Sequence, residues 1–197
     1  MDRIEYYFAP HSPWSHFGHQ RLAAIAGRHG ARIELKPCDL GRIFAVTGSL
    51  PLPKRPPARQ AYRLVELRRW RDFLGIELNI HPAHFPVDPT AASLAIIAAA
   101  AADGERAAYD LAGRLMRAVW AEERDIADEA TLVAIATEAG LDADRILAGR
   151  EAAVPTYERN TEDALAAGMF GAPWYQLRGE GFWGQDRLDL LDHTLGR

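Results

Sequence analysis

Three short segments hold most of the residues able to do chemistry. The first is Ser12-Pro13-Trp14-Ser15, which follows the apolar run Ile4 to Phe8. A serine there stands at the start of a helix, where free backbone N–H groups and the helix dipole favour an anion. Two readings of it stand side by side. Ser12 is a helix N-cap, a role serine fills well, or its hydroxyl donates a hydrogen bond to a thiolate and stabilises the reactive form of a bound thiol. The second segment is Phe170-Gly171-Ala172-Pro173, directly before the run Trp174 to Leu177. Proline is awkward in a strand ladder unless it begins the strand, and a cis Ala172–Pro173 bond accounts for it, with an ordinary trans proline as the alternative. A cis bond predicts an Ala172 backbone turned outward, able to pair with an extended peptide as an added strand would. The third segment is Trp183-Gly184-Gln185-Asp186-Arg187, which opens the last helical pattern. Gln185 and Asp186 read either as a cap and a first-turn acid, or as a pocket. In the pocket, Gln185 and exposed N–H groups hold an α-carboxylate while Asp186 pairs with an α-ammonium.

Other reactive side chains are sparse. Cys38 is the single cysteine, near the end of an apparent strand, and reads as a core residue. Disulfide exchange needs a nucleophilic and usually a resolving thiol, so a dithiol oxidoreductase is disfavoured. His81 and His84 are three apart but flanked by Pro82 and Pro86, with no third ligand at helical spacing, which argues against a metal hydrolase. His11, next to Ser12, reads first as a solvated loop histidine and second as a group that tunes the site.

The elements that must position these residues follow from periodicity. Ile4 to Phe8 is a strand. Phe17, Leu22, Ile25 and Ala26 recur at helical spacing up to Gly30, and Ala31 to Pro37 alternates as a second strand. A right-handed crossover makes the two strands parallel. The cluster Pro51-Leu52-Pro53-Lys54-Arg55-Pro56-Pro57 marks a boundary that is neither helix nor central strand. Beyond it helices are predicted over Arg59 to Leu74, an alanine-rich stretch after Pro89, Tyr109 to Trp120 and Glu129 to Ala139, with helical patterns continuing to about Ala167. Trp174 to Leu177 and Gly181 to Trp183 then read as a hairpin around Arg178-Gly179-Glu180, followed by a helix from Gln185 to Leu195. The order βαβ, helical insert, ββα predicts an α/β chain with a thioredoxin-like core. Residues 1–48 and 168–197 form that core, and residues 49–167 form a large all-helical insertion.

The 197 residues suffice for a sizeable core without disulfides. A net charge of −4, with acids and bases interspersed, gives no broad positive field for nucleic acid. The N-terminus lacks the pattern of a secretory signal, and the apolar tract Leu94 to Ala102 is too short to span a bilayer. A cytoplasmic protein without membrane partners is expected.

Taken together, the chain resembles the 2-hydroxychromene-2-carboxylate isomerases and the related kappa-class glutathione transferases, within the DsbA-type thioredoxin-like proteins. The resemblance rests on Tyr7-Phe8 with Ser12-Pro13-Trp14-Ser15, Phe44 to Trp70, His84-Phe85-Pro86, Trp120, Phe170 to Pro173, and Phe182 to Leu188. It implies a glutathione-dependent isomerase acting on an aromatic hydroxychromene-carboxylate-like substrate. A kappa-like transferase and a non-catalytic glutathione-binding protein are the alternatives. By the same resemblance Ser12 is the catalytic serine that activates the thiolate. Ala172 before cis-Pro173 is the backbone partner of glutathione, Gln185 with Asp186 holds its γ-glutamyl group, and the protein is a homodimer. The chain departs from the family at two points. Gly48-Ser49 stands where many relatives have Gly-Asn, with the asparagine on glutathione, so Ser49 takes that place with a shorter side chain. Trp174 follows the proline where a small polar residue is common, and either narrows the pocket or covers the core.

Overall fold

A computed structural model describes all residues, 1–197. β1 (Arg3–Phe8), α1 (Pro13–His29) and β2 (Arg32–Pro37) form the opening βαβ unit, and β3 (Trp174–Leu177) and β4 (Glu180–Trp183) form the closing hairpin. The sheet order is β2-β1-β3-β4, with β1 parallel to β2 and antiparallel to β3, and β3 antiparallel to β4. Tyr6 of β1 therefore faces Leu35 on one side and Tyr175 on the other. The hairpin turns at Arg178 and Gly179, both at positive φ (51° and 85°), as a two-residue turn matched to strand twist requires.

Side chains of β1 alternate between two cores, as the period of a strand dictates. Ile4, Tyr6 and Phe8 enter a cluster of 33 buried residues shared with α1 and the helices of the insertion. Tyr7 and Ala9 enter a cluster of nine on the opposite face, with Cys38, Met169, Ala172 and Trp174. The insertion contributes α3 (Pro57–Leu74), α4 (Thr90–Asp103), α5 (Glu105–Trp120), α6 (Glu129–Glu138), α7 (Ala143–Ala148) and α8 (Arg150–Ala166). No helix is long and apolar enough to cross a membrane.

Several boundaries differ from the sequence reading. α2 (Leu40–Thr47) follows β2 directly, where periodicity predicts no helix. Its cap is Asp39, whose carboxylate accepts from the Arg42 N–H at 3.0 Å. The proline cluster contains one 3-10 turn, Leu52–Lys54, and α3 begins within it at Pro57, because a proline in the first helical turn gives up no needed N–H. α5 starts at Glu105 rather than Tyr109, restarting one residue after α4. The last helix opens as a tight 3-10 turn, Gln185–Arg187, and becomes α9 only at Leu188–Leu195.

α1 is tied to α5 by a reciprocal pair. The His19 ring stacks on Tyr109 with centroids 3.9 Å apart, His19 Nε2–H donates to the Tyr109 carbonyl at 2.9 Å, and the Tyr109 hydroxyl donates back to the His19 carbonyl. Burial pushes the His19 imidazole down to about 4, outweighing the pull of the Tyr109 carbonyl. The fold thus favours neutral His19, a contribution complete above the ordinary value of 6.5 and lost as pH falls toward 4. Lowering the pH through that window should cost roughly 3 kcal/mol if the full shift is realised. Thermal melts of the wild type and His19→Gln should show a shallower fall of Tm over this range in the variant, and parallel curves would refute the assignment.

Candidate active site

A cleft of about 1200 Å³ opens at the N-terminal end of α1. One wall comes from the C-terminal core, with Ala172, Gly184, Gln185 and Asp186. The other comes from the insertion, with Arg55, Arg59 and Arg63 of α3 and its flank. Ser12 lies between them, only 8% exposed. Its backbone is extended (φ −81°, ψ 123°) and its Oγ accepts from the Ser15 N–H at 3.2 Å, so it is an N-cap. Capping uses a lone pair and leaves the hydroxyl proton unspent, so both readings of Ser12 fit one geometry. No acid stands in the first turn of α1 to cancel the positive end of the helix dipole.

The Ala172–Pro173 bond is cis. Neither the N–H nor the C=O of Ala172 has a hydrogen-bond partner in the chain, though both belong to a residue lining the cleft. Unpaired backbone polar groups are rare in folded proteins, and these two can be satisfied by an extended ligand. Trp174 takes the second of its two readings and covers the core. It is 8% exposed, belongs to the smaller core cluster, and does not line the cleft. Its ring packs against Gly181 of β4, where an added Cβ would fall 2.0 Å from it.

Gln185 is 1% exposed. Its amide oxygen accepts from Arg21 at 2.6 Å, the same guanidinium nitrogen reaches the Gln185 backbone carbonyl at 3.0 Å, and the amide Nε2 is buried without a partner. Only the N–H₂ end is therefore free to meet a carboxylate. Asp186 lines the cleft but already pairs with Arg187 at 2.6 Å. Ser49 donates to the Phe170 carbonyl at 3.0 Å, bridging the end of α2 to the segment before β3. Its hydroxyl proton is spent on the protein, and its oxygen remains an acceptor.

His11 lines the cleft beside Ser12 and is not a solvated loop residue. Burial pushes its imidazole down to about 4, against the opposing pull of Asp88, and its Nδ1 has no partner. Its ring faces Phe85 at 6.4 Å. Cys38 is buried, with its Sγ donating to the Phe8 carbonyl at 3.6 Å and burial pushing the thiol far up, so it supplies no thiolate. Sequence reasoning passed over Arg21 and Arg63. Arg21 had a signal, standing one helical turn after Gly18 on the same face of α1, whereas the aromatic surroundings of Arg63 depend on tertiary packing.

The family model for the DSBA-like thioredoxin domain matches residues 3–196. The chain is 28% identical over 198 residues to a 2-hydroxychromene-2-carboxylate isomerase of Pseudomonas putida, covering 98% of this chain and 94% of the relative. It is 25% identical over 210 residues to the glutathione S-transferase kappa 1 of Homo sapiens, covering 98% and 90%. A solved 2-hydroxychromene-2-carboxylate isomerase superposes with a TM-score of 0.83 at 27% identity, covering 99% of this chain and 95% of that one.

The site is held by a close approach at Gly18, where a Cβ would lie 2.5 Å from the Tyr175 hydroxyl and 3.1 Å from the Gln185 Cβ. At Gly27, in the same helix, a Cβ would meet nothing within 4 Å. Alanine gains about 1 kcal/mol over glycine in a helix interior, while overpacking costs about 1–3 kcal/mol. Gly27→Ala should therefore raise Tm and Gly18→Ala lower it. Equal stabilisation by both in thermal melts would show that α1 does not press on the C-terminal strands as described.

Proposed function

The chain belongs to the DSBA-like thioredoxin domain family, and on that premise we propose that it is a cytoplasmic glutathione-dependent isomerase of an aromatic hydroxychromene-carboxylate-like substrate. The observation that carries this reading is the set of unspent polar groups converging on one cleft. These are the Ser12 hydroxyl proton, the unpaired N–H and C=O of Ala172, and the buried Nε2 of Gln185. A tripeptide thiol fits them. Ala172, ahead of Pro173, would pair with its backbone, Gln185 and Asp186 would hold its γ-glutamyl end, and the Ser49 oxygen would accept at the other end. The full-length similarity to isomerases and to a kappa-class glutathione transferase supports the same reading.

Bound glutathione supplies a thiol nucleophile that this chain lacks, since its one cysteine is buried with a raised pKa. The chain's part is to hold charge and exclude water. The dipole of α1, 17 residues long, favours an anion at its start, and Ser12 directs a hydroxyl proton to the same place. Neutral His11 adds no cation there. An isomerisation has no net redox change, so a nucleophile that adds and leaves is sufficient, and no second thiol is needed.

Removing a hydrogen bond to a charged sulfur costs about 1.5–3 kcal/mol, which is one to two decades in rate. Ser12→Ala should raise the pKa of the bound thiol, followed by its ultraviolet absorbance, and slow turnover of a hydroxychromene carboxylate by that factor. The lost cap should cost about 1 kcal/mol of stability in either case. An unchanged thiol pKa with an unchanged rate would leave Ser12 as a cap alone. Glutathione conjugation of an aryl halide without isomerisation would favour the transferase alternative.

We also propose a homodimer. Val46 of α2 and Tyr62 and Phe73 of α3 are 66%, 59% and 79% exposed, apolar side chains that a second copy would cover. Light scattering should give twice the chain mass of 21.8 kDa, and a monomer at micromolar concentration would overturn this.

A further inference from the structure

Arg63 on α3 has no carboxylate within 4 Å and makes no hydrogen bond, although it lines the cleft and is only partly exposed. Its guanidinium lies over two rings instead, 5.3 Å from the centroid of Phe85 and 5.8 Å from that of Trp120. Burial and the neighbouring Arg55 push it down to about 10, a cation that is costly to leave unpaired.

None of the acids that line the cleft pairs with Arg63. Glu66 pairs with Arg69 at 2.7 Å and Asp186 with Arg187 at 2.6 Å. Asp39 caps α2 through the Arg42 N–H, and Asp88 accepts from the Thr90 N–H and hydroxyl at 2.9 and 2.7 Å. Arg59 has no acidic partner either, and Arg55 donates to the Leu50 carbonyl, so this wall presents cationic charge without counter-charge. An anionic ligand would supply the missing counter-charge.

Position separates Arg63 from the groups suited to a tripeptide. Ala172, Gln185 and Asp186 lie on the wall built from the C-terminal core. Arg63 lies on the wall built from the insertion, and its ring neighbour Phe85 also faces His11, the residue before Ser12. We propose that Arg63, with Phe85 and His11 beside it, is the subsite for the carboxylate of the second substrate, selecting planar aromatic monocarboxylates. The guanidinium meets the carboxylate in the plane of its fork while its faces stay on aromatic carbon. For the identity of the reaction the inference rests on the reading above, but carboxylate binding can be measured without glutathione.

The test is calorimetric titration of the full-length protein with salicylate, and separately with glutathione. Wild type should bind salicylate at millimolar concentration without glutathione and bind uncharged salicyl alcohol more weakly. Arg63→Gln should weaken salicylate at least about tenfold, the loss of a charge-assisted pair. Glutathione affinity should change less than twofold. Arg63→Lys, which keeps the charge and loses the planar fork, should fall between, and Arg59→Gln should keep most of the affinity. Thermal melts confirm that each variant is folded. Equal salicylate affinity in wild type and Arg63→Gln would overturn the subsite, as would no salicylate binding by wild type. A loss of glutathione affinity with salicylate unchanged would assign Arg63 to the tripeptide instead. Failure of glutathione to bind wild type at all would sink the glutathione reading while leaving the salicylate result standing.

Discussion

The cleft depends on how closely α1 lies against the C-terminal strands at Gly18. Residues from opposite ends of the chain meet there, and the sheet order makes the meeting possible, because β1 sits between β2 and β3. A side chain at Gly18 would collide with the Tyr175 hydroxyl. One helical turn later, Arg21 uses the same face to hold both the side-chain and backbone oxygens of Gln185. Ser12, at the start of the same helix, is thereby fixed relative to Gln185 by a rigid element and not by a loop. The groups proposed to meet a ligand keep their spacing because α1 cannot slide along the sheet without breaking these contacts.

The inner surface of this joint is polar as well as packed. Tyr6 and Tyr175 stack at 5.4 Å, and their hydroxyls, with Ser15 Oγ and His19 Nδ1, are buried without protein partners. Buried polar atoms of this kind are usually satisfied by internal water. Burial pushes both phenols well above their ordinary range, so they remain neutral. The polar interior behind α1 therefore adds no charge to the cleft in front of it.

Much of the fold was legible because the strands alternate and the turns carry their own chemistry. Ile4, Tyr6 and Phe8 mark one face of β1, Arg178-Gly179 marks the hairpin, and Ser12-Pro13 marks the start of α1. α2 was missed although Asp39 followed by Leu40, Ile43 and Phe44 is a capped amphipathic turn, since its eight residues are too few for periodicity to stand out. The start of α5 was missed because Glu105 to Ala108 offers no large apolar residue to fix its phase. At the site, the segments around Ser12, Ala172 and Gln185 were each readable, but the state of their hydrogen bonds was not. That the Gln185 oxygen belongs to Arg21, that the Ser49 proton belongs to Phe170, and that His11 is desolvated all depend on partners distant in sequence. The alternatives for Trp174 likewise needed the bare surface of Gly181 to separate them.

The two walls of the cleft differ in charge. Close to Ser12 the groups are neutral: a hydroxyl, an imidazole kept uncharged by burial, and the partial charge of a helix end. Arginines stand farther along the insertion, where Arg63 rests on Phe85 and Trp120. A full cation beside the sulfur would stabilise a thiolate more strongly, but a strongly stabilised thiolate is also a weaker nucleophile. On the proposed reading, a dipole and one hydrogen bond would lower the pKa of a bound thiol moderately, which suits a nucleophile that must add and then leave. On the same reading the cations would serve a carboxylate that carries its charge throughout the reaction.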